Sequence, residues 1–173
     1  NLEVLKHMNK MKLWLIGIAT ALLLSIPMAG YAATVDKTGS TTYGVPASGL
    51  NKYFTMSNTV DISAATNGDV YQVLPVGTGT MVFNVRTKII TPNDAATTST
   101  IDIGDGTDTN GYSDDINMKA AATVVSKGTS TDAYVQGHGK EYTTGDTIDL
   151  TFVVTGTNTA GEVKITALCL DLN

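Results

Sequence analysis

Apolar and polar residues alternate in short runs separated by clusters of Gly, Asn, Asp and Pro, which is the pattern of β-strands. The alternation is clearest near the C-terminus. There Ile148, Leu150, Phe152 and Val154 point one way, and Asp149 and Thr151 the other. The stretch Gly156-Thr157-Asn158-Thr159-Ala160-Gly161 makes a loop, and Val163, Ile165, Ala167 and Cys169 return on the inner face. These two runs read as an antiparallel hairpin. Upstream, Val70 to Leu74 is a short apolar strand ended by Pro75. Met81, Phe83 and Val85 alternate with Val82, Asn84 and Arg86 in a run that reaches Ile90, the longest strand. Thr91-Pro92-Asn93-Asp94 then turns the chain into Thr98 to Ile103, and Ala120 to Val125 fits a strand better than a short helix. Strands apolar on one face predict a jelly-roll-like antiparallel β-sandwich of about eight strands, with Phe83 and Phe152 inward.

The pattern breaks at the N-terminal end. Lys10 and Lys12 precede an uncharged run from Leu13 to Leu24, Pro27 interrupts it, and Gly30 and Ala32 supply small residues at a cleavage position. Those are the three parts of a secretory signal peptide, with the start at Met8 or Met11 and cleavage after Ala32. The run is too short for a membrane anchor, which needs about 20 apolar residues. Contact with a membrane is therefore expected only during export, through the periplasm to a secreted or cell-surface location. Residues 33–50 are polar and weakly patterned. They read as a flexible N-terminal arm, or as an arm that adds a strand to a neighbour's sheet. The division expected is 1–32 upstream residues and signal peptide, 33–50 arm, and 51–173 a single sandwich domain.

Charge narrows the partners. The 173 residues carry a net charge of −5. Eight Lys and Arg and fifteen Asp and Glu lie beyond Ala32, which makes that part −7. A chain this acidic, with no basic cluster in sequence, is not expected to bind nucleic acid. The one cysteine, Cys169, lies in an apolar run and reads as a buried small hydrophobe. Catalytic patterns are missing. His138 is the one histidine after the signal segment, and neither G-x-S-x-G nor H-E-x-x-H occurs. The chain reads as a non-enzyme.

One stretch carries candidate chemistry. After Ile101-Asp102-Ile103, a glycine-rich turn brings Asp105, Asp108, Asn110, Asp114 and Asp115 close in sequence, with no Lys or Arg between Lys88 and Lys119. Hard oxygen ligands two to four residues apart, with glycines allowing tight curvature, suit calcium. The full EF-hand spacing and its closing Glu are absent. The competing reading is a solvated turn whose Asp and Asn side chains cap their own backbone amides. No other cofactor is expected. Tyr112 and Tyr134 flank turns, where they read as a sugar platform, a subunit contact or half-buried packing.

The order of motifs adds a resemblance. Val70 to Leu74, the Gly-rich turn, the long strand, Thr100-Ile101-Asp102-Ile103-Gly104-Asp105-Gly106-Thr107-Asp108, Gly111-Tyr112, Gly139-Lys140-Glu141-Tyr142, Asp146 to Thr151 and the final strand ending Asp171-Leu172 follow one another. Over roughly residues 65 to 172 this resembles small structural proteins of tailed bacteriophages that decorate heads or form short fibres. The resemblance implies a β-sandwich that works by self-association on a larger particle, and the signal peptide departs from it. The function expected is an exported, non-enzymatic structural subunit forming homo-oligomers or polymers in a surface layer, filament or virion-associated array. The alternative is a calcium-stabilised extracellular carbohydrate-binding module with a glycan ligand.

Overall fold

In the computed structural model, the described residues are 32–44, 52–95, 97–120, 124–125 (backbone only) and 132–173. The signal-peptide reading covers residues 1–32, of which all but Ala32 lie outside the described ones. The strands are β1 Thr34–Asp36, β2 Thr42–Gly44, β3 Tyr53–Asp61, β4 Val70–Val76, β5 Thr80–Thr91, β6 Thr98–Gly104, β7 Ser113–Asn117, β8 Val124–Val125, β9 Lys140–Tyr142, β10 Asp146–Thr155 and β11 Glu162–Asp171. A one-turn helix, α1, spans Ala133–Gln136. The described residues form eleven strands against the roughly eight expected, because the short edge strands carry too few residues to show a period.

The strands form two sheets, ordered β1-β4-β10-β6-β7 and β2-β3-β11-β5-β8, with β9 also on β5. All pairings are antiparallel except β1 on β4. One apolar cluster fills the space between the sheets, including Val60, Tyr71, Ile101, Ile148, Phe152, Ile165 and Cys169. The sandwich predicted from alternation is present. Cys169 is fully buried and free, and burial pushes its thiol up to about 12.

Four local expectations are corrected. β10 and β11 do not pair as a hairpin; they lie in different sheets, and both send side chains into the core between them. The intervening loop is held open as an arch. Asp94 accepts from the Thr159 and Ala160 amides and the Thr159 hydroxyl, while Asn158 donates to the Ile62 carbonyl. Phe83 is not inward. A register shift opposite Leu168–Cys169 changes the phase of β5, so Val82 and Val85 are buried while Met81 and Phe83 stay partly exposed. Pro75 does not end β4, which runs on to Val76. β1 pairs only with Val70 to Gln72, so Pro75 sits on an open edge where no amide is needed.

The fourth correction concerns the arm. Residues 34–44 are the edge strands β1 and β2, one on each sheet of the chain's own sandwich, joined by a 3-10 turn at Thr38–Ser40. Asn58 ties them down by donating to the Lys37 and Val73 carbonyls. Asp69 adds a second tie through the Ala33 and Thr66 amides. Residues 45–51 lie outside the described part. Residues 31–173 cluster as one unit.

Candidate functional site

The acidic stretch starts where β6 leaves the sheet, and its carboxylates part company there. Gly104 allows the departure: a Cβ on it would lie 1.8 Å from the Asp108 carbonyl oxygen. Asp105 then turns inward and is 1% exposed. Its Oδ1 accepts from the Thr107 amide at 2.8 Å, the Asp108 amide at 2.9 Å and the Tyr134 hydroxyl at 2.9 Å. Its Oδ2 accepts from the Tyr142 hydroxyl at 3.1 Å, and the Lys140 ammonium stands 3.8 Å away. Tyr142 in turn meets the Tyr112 hydroxyl at 3.1 Å.

Burial raises the pKa of Asp105, but the Asp108 and Thr107 amides, the Tyr134 hydroxyl and the Lys140 charge outweigh it and hold the carboxyl below its usual range. Tyr112, Tyr134 and Tyr142 are all pushed up, chiefly by burial. The hub is thus an anionic carboxylate ringed by neutral phenols, with Lys140 also 4.6 Å over the Tyr134 ring. Gly111 makes room for that ring, since a Cβ there would come within 2.3 Å of it. Asp105 is spent on internal partners, and Asp108 caps the Asn110 amide at 3.3 Å.

Asp114 and Asp115 take the other path. The β6–β7 pairing sets them beside Asp102, and ligand oxygens of the three lie within 4.8 Å of one another. Asp105 and Asp108 are not in that group. The five residues expected as one calcium site are therefore divided, and Asp102 is a member the sequence reading left out. Its signal was the outward position of Asp102 on β6, readable only once β7 is known to be its neighbour. Asp115 has left-handed backbone (φ 52°), and its amide donates to Asp102 Oδ1 at 2.8 Å. Burial raises the Asp102 pKa. The Asp115 amide opposes this, and the Asp114 carboxyl and the charges of Asp114 and Asp115 add to it.

Other expectations also land. Tyr112 is buried, with its ring 5.0 Å from that of half-buried Tyr134, so neither forms an exposed sugar platform. Exposed tyrosines occur instead at Tyr43 and Tyr53, which line a groove of about 480 Å³ with Phe54, Lys52, Thr80, Asp171 and Asn173. His138 sits exposed in the turn between α1 and β9 with φ 62°.

No protein-family model and no curated protein sequence matches the chain. The fold does have counterparts. It is similar to a chain in the capsid of Ralstonia phage GP4, with a TM-score of 0.55 and 16% identity over 80% of this chain and 97% of that one. It is also similar to a chain of the Cyanophage Pam1 capsid asymmetric unit, with a TM-score of 0.50 and 16% identity over 73% and 91%. The resemblance to phage structural proteins read from the motif order holds at the level of the fold.

Proposed function

We propose that the chain is a non-enzymatic structural subunit of a virion, present as repeated copies in an array. The observation that carries this reading is the extent of the fold match. The sandwich corresponds to nearly the whole of a chain in a phage capsid, 97% of its length. The acidic loop supports it from the other side: its one buried carboxylate is saturated by five donors and cations, which suits a scaffold better than a reacting centre. Purified full-length protein, followed by sedimentation velocity and negative-stain microscopy, is expected to form regular rings, sheets or shells as concentration rises. A stable monomer at every concentration, with or without phage particles lacking this subunit, rules the reading out.

A second reading places the same subunit in an exported surface layer or filament. The basic, apolar and small-residue order of Lys10 to Ala32 favours it. Expression in a bacterium with intact-mass measurement separates the two. A periplasmic or secreted product beginning at Ala33 supports export, and an uncut cytoplasmic product removes it.

A further inference from the structure

The outer face of the β2-β3-β11-β5 sheet carries three cations close together, with the acids Glu162 and Asp61 facing each other on the neighbouring row. In the β11–β5 ladder Lys164 lies directly opposite Lys88, and Arg86 stands opposite Thr166 one row along, with all three cations exposed. Like charges directly across two strands are unfavourable. Glu162 lies one row further out, yet among the described residues the ion pair formed is Lys140–Asp105, which involves none of these groups. Beside the cations the face turns apolar. Leu168 is 43% exposed, and it lines a shallow groove of about 390 Å³ with Thr55, Asn84, Arg86 and Thr166. Arg is enriched at interfaces, and here Arg86 stands beside exposed Leu168.

The mirror image lies on the other sheet. Asp102, Asp114 and Asp115 crowd their carboxylates within 4.8 Å at the β6–β7 edge, also with like charges together. Two residues directly opposite in a ladder have Cβ atoms about 5 Å apart, so the Lys88–Lys164 pair spans a similar distance. With a net charge of −5, two copies repel unless surfaces of opposite sign meet. We propose that the partner of the Arg86–Lys88–Lys164 face is a second copy of this chain, docking through its Asp102–Asp114–Asp115 edge. The two patches differ and sit on different sheets, so the contact is head to tail and generates rings or open arrays. This inference rests on the structural-subunit reading and gives it a contact.

The test uses the full chain with two charge reversals, Lys88→Glu/Lys164→Glu and Asp114→Lys. Each destroys one half of the contact and leaves the other intact. By sedimentation velocity the wild type is expected to associate at low salt and to dissociate progressively as salt is added. Each variant alone is expected to need at least about tenfold more protein to associate. Mixed one to one, the variants pair through the remaining native halves and give a 1:1 dimer. Circular dichroism checks folding, and the milder Lys164→Gln is expected to shift association about threefold if a reversal unfolds the chain. Wild-type association that ignores both reversals overturns this contact and leaves the subunit reading standing. Variants that stay monomeric when mixed also overturn it. A wild type that is monomeric throughout overturns both. Binding of a short DNA duplex by a monomeric wild type, lost in Lys88→Glu/Lys164→Glu, assigns the face to nucleic acid and overturns the contact as well.

Discussion

Asp102 and Asp105 stand three residues apart on the passage from β6 into its loop, and their carboxyls move in opposite directions. Asp105 is the more deeply buried, yet its pKa falls, because two amides, two phenols and an ammonium face it. Asp102 receives one amide and faces two further carboxylates, and its pKa rises. Burial penalises the charge in both. The partners decide the sign. One region is a saturated internal hub, and the other an unresolved surface charge.

Breaking the hub has the largest expected effect. Asp105→Ala leaves the Tyr134 and Tyr142 hydroxyls and the Lys140 ammonium without their acceptor, at a cost of about 3–5 kcal/mol. Urea denaturation measures it, and a loss under about 1 kcal/mol means the hub is not holding the loop. Gly104→Ala attacks the same region through the backbone. Its Cβ meets the Asp108 carbonyl, and about 1–3 kcal/mol is expected to be lost as the turn shifts.

Asp149 belongs with Asp102 in this comparison. It is buried on β10, and burial first, then the charges of Asp146 and Asp105, raise it to about 6 against the Thr147 hydroxyl. Its folded pKa lies above its ordinary value of 3.8, so the stability it contributes is complete below that value and is lost as pH rises through about 6. Asp149→Asn is therefore expected to gain about 2 kcal/mol over the wild type at pH 7 and close to nothing at pH 3.5. Equal effects at both pH values mean that folding does not raise the pKa of this carboxyl. The smallest effect is expected at Asp114. Asp114→Asn relieves the surface crowding and gains only about 0.2–0.5 kcal/mol at low salt. That gain should vanish at 1 M salt, where such charges are screened; persistence there points to packing instead.

The candidate site was partly legible. The five acids from Asp105 to Asp115 drew attention because they cluster in sequence, but the cluster contained two structures. Tyr142 and Lys140 lie more than 30 residues beyond Asp105 and reach it only because β9 pairs with β5 near the loop. Asp102 joins Asp114 and Asp115 across a ladder that sequence spacing does not express. β3 escaped notice although Met56 and Val60 keep its period, because the buried position between them is Asn58, a polar residue bound to two carbonyls.

By itself the sequence determined what is local: that the long runs β4, β5, β6, β10 and β11 are strands, which face of β10 and β11 is apolar, that Cys169 is a core residue, and that two such faces must close on each other. It could not separate a hairpin from an arch, since both need the same inward alternation on the two strands. The tertiary structure decided that. It placed β10 and β11 on opposite sheets and shifted β5 by one residue at Phe83. It also folded residues 34–44 onto their own sheets. The physical reason is that side-chain period reports burial, whereas strand pairing is chosen among distant segments by the packing of the whole core.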